Sequence, residues 1–319
     1  MALELKNKKI IVTGGAGFLG GHIIDYLTKE EKVNSKNIFV PRSKDYDLRK
    51  EEDVRRMFKD FPADMVVHLA TTVGGINYNK EHPGTLYYEN LIMNSFLIEI
   101  AKQNKIEKFL AAGTALAYPA KAQIPLEESS LWDGYPEAML APIGMASKMM
   151  LVQIQAYRKE FGFNAIYVMP SNLYGPGDHF SAYHSHVIPA TIKKFDEAIR
   201  KNNKVDMWGT GRASREFLYV KDAARGLILA LKSYDSPEPL NLGSGEEITI
   251  KELAEVIASI MNFKGEIFWD KTKPEGQLRR CLENKKAREE LGFKPSVTFK
   301  KGLEETIKWY SANKIHIDS

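Results

Sequence analysis

The sequence predicts an α/β fold, a doubly wound parallel sheet of the Rossmann kind with a smaller C-terminal α/β lobe. Three observations carry that expectation. Short β-branched runs alternate with longer amphipathic stretches through the first half of the chain. A glycine-rich turn stands between the first strand-like run and the first helix-like stretch. After about Asn172 the alternation loosens and Gly and Pro punctuate the chain, as in Gly175-Pro176-Gly177.

Taken in order, residues 9–13 read as a strand, 20–30 as a helix and 37–41 as a second strand. Residues 53–59 read as helix, 65–69 as strand, 87–104 as helix and 108–112 as strand. A long helix over 142–161 precedes a strand at 164–169. Strict alternation of this kind gives a parallel sheet covered on both faces. Further on, 187–201 reads as a helix, and the strand 216–220 with the helix 221–232 is expected to return to the main sheet. Residues 1–172 with parts of 215–245 would then form one domain, interleaved with a lobe built from 173–214 and 246–319.

Composition narrows the function classes. The chain has 319 residues, 44% hydrophobic and 27% charged, the balance of a globular enzyme. Its net charge of +4 is spread in mixed runs such as Lys29-Glu30-Glu31-Lys32, a solvated surface and no nucleic-acid footprint. A single cysteine, Cys281, excludes an internal disulfide and suits a reducing compartment. The start of the chain lacks an apolar signal core, and no segment approaches the ~20 apolar residues of a membrane span. A cytoplasmic protein without a metal site is expected.

The turn reads Thr13-Gly14-Gly15-Ala16-Gly17-Phe18-Leu19-Gly20. Between a strand and a helix, this spacing is a dinucleotide-binding signature. Gly14 permits the tight turn, Gly17 lets backbone amides approach a pyrophosphate, and Gly20 allows close helix–strand packing. The helix N-terminus adds partial positive charge. The second strand ends Val40-Pro41-Arg42-Ser43, where an acidic residue would suit both ribose hydroxyls of NAD. Arg42 can instead pair a 2′-phosphate and stack on adenine, which favours NADP(H) over NAD(H), unless it is a plain surface arginine. Asp47 and Leu48 follow as candidates to flank the adenine.

Several segments together resemble the GDP-L-fucose synthases. They are His68-Leu69-Ala70 with Val73-Gly74-Gly75-Ile76, Tyr88-Glu89-Asn90, Asn172-Leu173-Tyr174-Gly175-Pro176 and Ser185-His186-Val187-Ile188-Pro189-Ala190. Arg215-Glu216-Phe217-Leu218 with Asp222, Asn241-Leu242-Gly243-Ser244-Gly245, and Lys273-Pro274-Glu275-Gly276 with Arg279 and Arg280 extend the match over nearly the whole chain. The resemblance implies an extended short-chain dehydrogenase fold, a GDP-sugar ligand and a homodimer. It also implies NADPH-dependent reduction of a 4-keto-6-deoxy sugar after epimerisation. By position, Leu69, Ala70, Thr71, Val73, Asn90, Pro170, Asn172 and Leu173 would join the glycine loop around the cofactor. Asn172, Val187, Lys194, Trp208, Arg215 and Arg280 would line the substrate. Thr114 matches the hydroxyl that bonds the substrate oxygen, and His186 the acid that assists epimerisation. Trp208 could equally be core and Lys194 a solvated helix residue. Arg280 could meet a diphosphate or face solvent. His186 is preferred over His184 because apolar residues follow it.

The chemical positions depart from the pattern. Reduction in this superfamily uses Tyr-x-x-x-Lys, two residues one helical turn apart on the same face. Here the aligned residues are Ile143 and Ser147; Lys148 is rotated by about 100° and cannot simply substitute. Where the family places a cysteine base after the fourth strand, this chain has Leu116. Binding motifs thus persist while three chemical groups are replaced. Either Thr114 and His186, with His184 or Tyr183, support altered chemistry, or the chain is a non-catalytic subunit beside an active paralogue, or an inactivated variant. The helices over 87–104 and 142–161 carry apolar residues on more than one face, from Met145, Met149 and Met150 to Tyr157. Such faces suit either a subunit interface or burial within one subunit.

Overall fold

A computed structural model describes residues 3–74, 76–181, 185–201, 204–273 and 277–317. The chain runs β1 (Ile10–Thr13), α1 (Phe18–Lys29), β2 (Ile38–Phe39), α2 (Glu51–Asp60), β3 (Met65–His68), α3 (Ile76–Glu81) and α4 (Pro83–Gln103). Then come β4 (Lys108–Ala112), α5 (Ala141–Phe161), β5 (Ala165–Pro170), β6 (Asn172–Tyr174), α6 (Val187–Lys201) and β7 (Lys204–Trp208). The remainder is β8 (Ser214–Tyr219), α7 (Val220–Ser233), β9 (Leu240–Leu242), β10 (Glu247–Thr249) and α8 (Ile250–Ile260). It closes with β11 (Glu266–Asp270), β12 (Arg279–Arg280), α9 (Lys285–Leu291) and α10 (Phe299–Ile317).

Six strands form one parallel sheet in the order β2-β1-β3-β4-β5-β9. Alternating side chains divide its two faces. Ile11, Val66, Phe109, Tyr167 and Met169 pack under α2, α4 and α5. Ile10, Val12, Val67, Leu110 and Val168 pack under α1 and α7. The expected doubly wound sheet is therefore present. α4 starts at Pro83, four residues before the predicted 87, because proline is favoured in a first helical turn, where its missing N–H costs nothing.

One expectation is corrected. The strand predicted at 216–220 does not return to the main sheet: β8 pairs with β6, β10 and β12 in a second sheet. Its alternate side chains Phe217 and Tyr219 stack with Tyr174 and Phe299 in a separate aromatic core, which the main sheet could not supply. The strand that completes the main sheet is β9, and only the following helix, α7, packs back onto it. Among the described residues, no helix is long and apolar enough to cross a membrane.

Candidate active site

The strand order reverses direction around β1, so the loops after β1 and β3 open a crevice at their C-terminal ends, where α/β sheets bind ligands. Gly14 sits there at φ +69°, and a Cβ on it would come within 2.9 Å of the Ala70 nitrogen. A Cβ at Gly20 would lie 2.2 Å from the Gly14 oxygen, so α1 is seated directly on the turn. Ala16 and Gly17 are exposed at its tip, and the α1 N-terminus carries no side-chain cap. The free amides from Phe18 and Leu19 onward, with the helix dipole, suit a pyrophosphate. Beneath the turn, Thr13 Oγ1 accepts from the Leu69 and Ala70 amides at 3.2 and 3.3 Å. Its hydrogen is thereby directed to His68 Nδ1, 2.7 Å away, and His68 Nε2–H donates to Asn94 Oδ1 at 2.9 Å. Burial pushes the His68 pKa down to about 4, so this histidine is a neutral strut.

At the adenine end, Arg42 is exposed in the turn after β2, and its guanidinium has no partner among the described residues. Asp47 is held by Arg49 at 2.8 Å, which keeps its carboxyl below the usual range. Arg49 also reaches Glu89 at 2.6 Å, and Glu89 accepts from Thr72 Oγ1 at 3.0 Å. This chain of contacts, invisible in the sequence, joins the turn after β2 to the loop after β3. Leu48 lies in the core behind it. Asn90 accepts from Thr71 Oγ1 and the Thr72 amide and donates to the Thr72 and Leu86 carbonyls. All four of its hydrogen-bonding sites are filled, so it shapes the 71–73 loop from behind. Val73 is exposed on that loop. Asn172, two residues after Pro170 and just before Leu173, donates to the Glu216 carbonyl at 2.9 Å and ties β6 to β8.

Past β4, Thr114 caps a short 3₁₀ turn (Ala115–Ala117), its Oγ1 accepting from the Leu116 amide at 3.2 Å. That leaves its O–H free to donate. Leu116 lines a small recess with Tyr118, Glu137, Gln277 and Arg280. Ile143 and Ser147 are both buried on α5. Ser147 Oγ lies 2.6 Å from the hydroxyl of Tyr167, a fully buried residue of β5. The Thr114 amide also reaches that phenol, and burial pushes its pKa up to about 12, so it keeps its proton. Lys148 points elsewhere, donating to the Gly134 carbonyl at 3.3 Å with its ammonium 5.1 Å above the Trp132 ring. The geometry agrees with the expected rotation away from Ser147.

The second sheet supplies cations. Arg215 on β8 and Arg280 on β12 are directly paired residues of a parallel ladder, so their side chains share a face. Neither is within ion-pair distance of a described carboxylate. Burial, with Arg215 alongside, pushes the Arg280 pKa down to about 10, and burial lowers that of Arg215. Lys194 on α6 donates to the Asp206 carbonyl at 2.8 Å and sits 5.7 Å from the Trp208 ring. Trp208 is 56% exposed, so it is no core residue. Val187 opens α6 beside the aromatic core. His186 Nδ1 lies 3.7 Å from Asp178 Oδ1, and that contact raises the histidine's pKa. Tyr183, His184 and Pro274-Glu275-Gly276 lie outside the described residues. Sequence reasoning missed Tyr167 and Asp178. Tyr167 hides in an ordinary apolar strand, whereas Asp178 follows the Gly-Pro-Gly turn that was already visible.

Comparison with known proteins agrees with this geometry. Residues 10–243 match the model of the NAD dependent epimerase/dehydratase family. The chain is 38% identical over 312 residues to a probable GDP-L-fucose synthase 1 of Oryza sativa subsp. japonica, covering 97% of this chain and 94% of that protein. A GDP-L-fucose synthetase from Naegleria fowleri solved with NADP superposes with a TM-score of 0.90 at 26% identity, over 100% and 98% of the two chains. A GDP-D-glycero-L-gluco-heptose synthase from Campylobacter jejuni, solved in the presence of NADPH, gives a TM-score of 0.87 at 25% identity, covering 96% and 98%. The chain therefore belongs to the GDP-L-fucose synthase-like branch of the NAD-dependent epimerase/dehydratase family.

Proposed function

We propose that this chain binds NADP(H) and a GDP-linked 4-keto-6-deoxy sugar, and works on the sugar without the usual tyrosine, lysine and cysteine. The observation that carries the reading is the Arg215–Arg280 pair. Two half-buried guanidiniums share one face, and although Glu137 lies near Arg280 and Glu247 near Arg215, neither arginine is in ion-pair contact with a described carboxylate, an arrangement that suits an anion placed between them. A nucleoside diphosphate supplies that anion, and GDP-sugars are named for the relatives. Lys194 and Trp208 add an ammonium and an exposed indole 5.7 Å apart, close enough to serve a phosphate and a ring together.

When bound, the dinucleotide would supply the hydride. Thr114 would offer its free O–H to the sugar's keto oxygen, and His186 would hold or give a proton nearby. Leu116 and Ile143 would keep the floor dry without moving a proton. Arg42, exposed and unpaired, favours the 2′-phosphate of NADP; tighter binding of NADH than of NADPH would overturn that part. Tyr88, Val152 and Phe161, exposed on α4 and α5, suit a homodimer. A second reading, a binding subunit beside an active paralogue, is favoured by one observation: the neutral Ser147 hydroxyl is bonded to a buried Tyr167 phenol that keeps its proton, so this corner of the floor offers no acid or base.

The test is NADPH oxidation with GDP-4-keto-6-deoxymannose by the unaltered chain and by a Leu116→Cys/Ile143→Tyr/Ser147→Lys variant. Because the Tyr167 phenol fills the space beside position 147, the variant must also carry Tyr167→Ala. Turnover at least about 10²-fold higher in this fourfold variant is expected. Equal activity in the unaltered chain would show that Thr114 and His186 suffice, and inactivity of both the unaltered chain and a variant shown to be folded by circular dichroism would overturn the substrate.

A further inference from the structure

The loop after β6 carries Asp178, whose side chain is 1% exposed, against 67% for His186 at the start of α6. His22 Nε2 of α1 contacts the Pro176 carbonyl at 2.8 Å, so the loop is anchored to the dinucleotide half of the molecule. Asp178 Oδ1 accepts the His179 amide at 2.7 Å and faces His186 Nδ1 at 3.7 Å. Its other oxygen, Oδ2, is buried with no hydrogen-bond partner among the described residues. A carboxylate taken out of water needs a donor or a cation for each oxygen it cannot solvate. The imidazole Nδ1 faces Oδ1, the oxygen that also takes the His179 amide, and a ring shift of about 0.5 Å brings Nδ1–H into hydrogen-bond range of this carboxylate.

We propose that Asp178 is the positioning residue of His186: its carboxylate holds the ring by Nδ1–H and leaves Nε2, on the exposed side, as the nitrogen that gives or takes a proton. The inference rests on the reading in which His186 is an acid of the site. A free imidazole favours the Nε2–H tautomer, in which Nε2 cannot accept a proton; the carboxylate reverses that preference. Among the described residues Asp178 is the one titratable group that acts on the ring, with Tyr183 and His184 outside them. The contact with Asp178 raises the pKa of His186 against a smaller, opposing effect of burial. The protonated form therefore persists to higher pH than in a free histidine, and an Asp178→Asn change shortens that range from its alkaline end.

The experiment is ¹⁵N NMR of the imidazoles in the full chain, with His186→Gln to assign the signal. The neutral ring of His186 is expected in the Nδ1–H form. In Asp178→Asn, which keeps an oxygen for the His179 amide, its titration midpoint falls by about one pH unit or more. An Nε2–H ring in the unaltered chain, or a midpoint unmoved by Asp178→Asn, overturns the proposal. If the variant does not fold, the tautomer in the unaltered chain decides alone. A ring coupled as described, in a chain whose turnover of the keto-sugar survives His186→Gln, instead removes His186 from the acid's role and leaves the Asp178 contact standing.

Discussion

The glycine turn after β1 and the floor between β4 and α5 belong to the same sheet, with β3 between their strands, yet they are built from different material. The turn is backbone: Gly14 and Gly20 are places where a Cβ would meet neighbouring main chain at 2.9 and 2.2 Å. Its one polar support, Thr13–His68–Asn94, is internally satisfied. The floor is side chain: Thr114, Leu116, Ile143 and Ser147, with the Tyr167 phenol behind them. A site made of backbone changes only with the fold, whereas side chains on a fixed scaffold can be exchanged if the volume and the hydrogen bonds are made good. Tyr167 makes them good here, bonding Ser147 and the Thr114 amide from a buried strand. Under the proposed function, binding here outlasts a particular chemistry.

Breaking the backbone side should cost more. Gly20→Ala drives a methyl into the Gly14 carbonyl, which belongs to a rigid turn. A loss of about 3 kcal/mol in chemical denaturation is expected, with NADPH affinity reduced at least about tenfold as α1 is pushed off the turn. Stability and affinity both unchanged would show that the turn is looser than its geometry. On the floor, Tyr167→Phe removes one buried hydroxyl and strands Ser147 and the Thr114 amide. Denaturation should register about 1–2 kcal/mol, while NADPH affinity, set by the turn, stays within about twofold. A collapse of NADPH binding in this variant would erase the distinction between the two regions.

What the sequence disclosed follows the same division. The glycine turn was legible because its spacing, strand before and helix after are all local. The alternation that gives the main sheet was legible for the same reason. β8 was misplaced because a six-residue strand does not by itself say which sheet it joins; the aromatic cluster of Tyr174, Phe217, Tyr219 and Phe299 decides that, across more than a hundred residues of sequence. Arg215 and Arg280 could be named singly, but their pairing depends on the β8–β12 ladder. Lys148 could be set aside from helical geometry alone, and the side chain does lie against Trp132 and Gly134. Nothing in the strand sequence Ala165–Pro170 distinguishes Tyr167 from a core residue, because what makes it matter is its contact with Ser147 on another element.

If the proposed function holds, an anion-binding pocket for a nucleoside diphosphate survives while the chemistry beside it has changed. The decisive measurement is titration of GDP into the unaltered chain, Arg215→Ala and Arg280→Ala, with NADPH titrated into the same samples. GDP should bind the unaltered chain, and each substitution should weaken that binding about 10–100-fold, as loss of a charge-assisted hydrogen bond does. NADPH affinity should be unmoved. Absence of GDP binding to the unaltered chain, or affinity indifferent to both arginines, would contradict the proposed pocket.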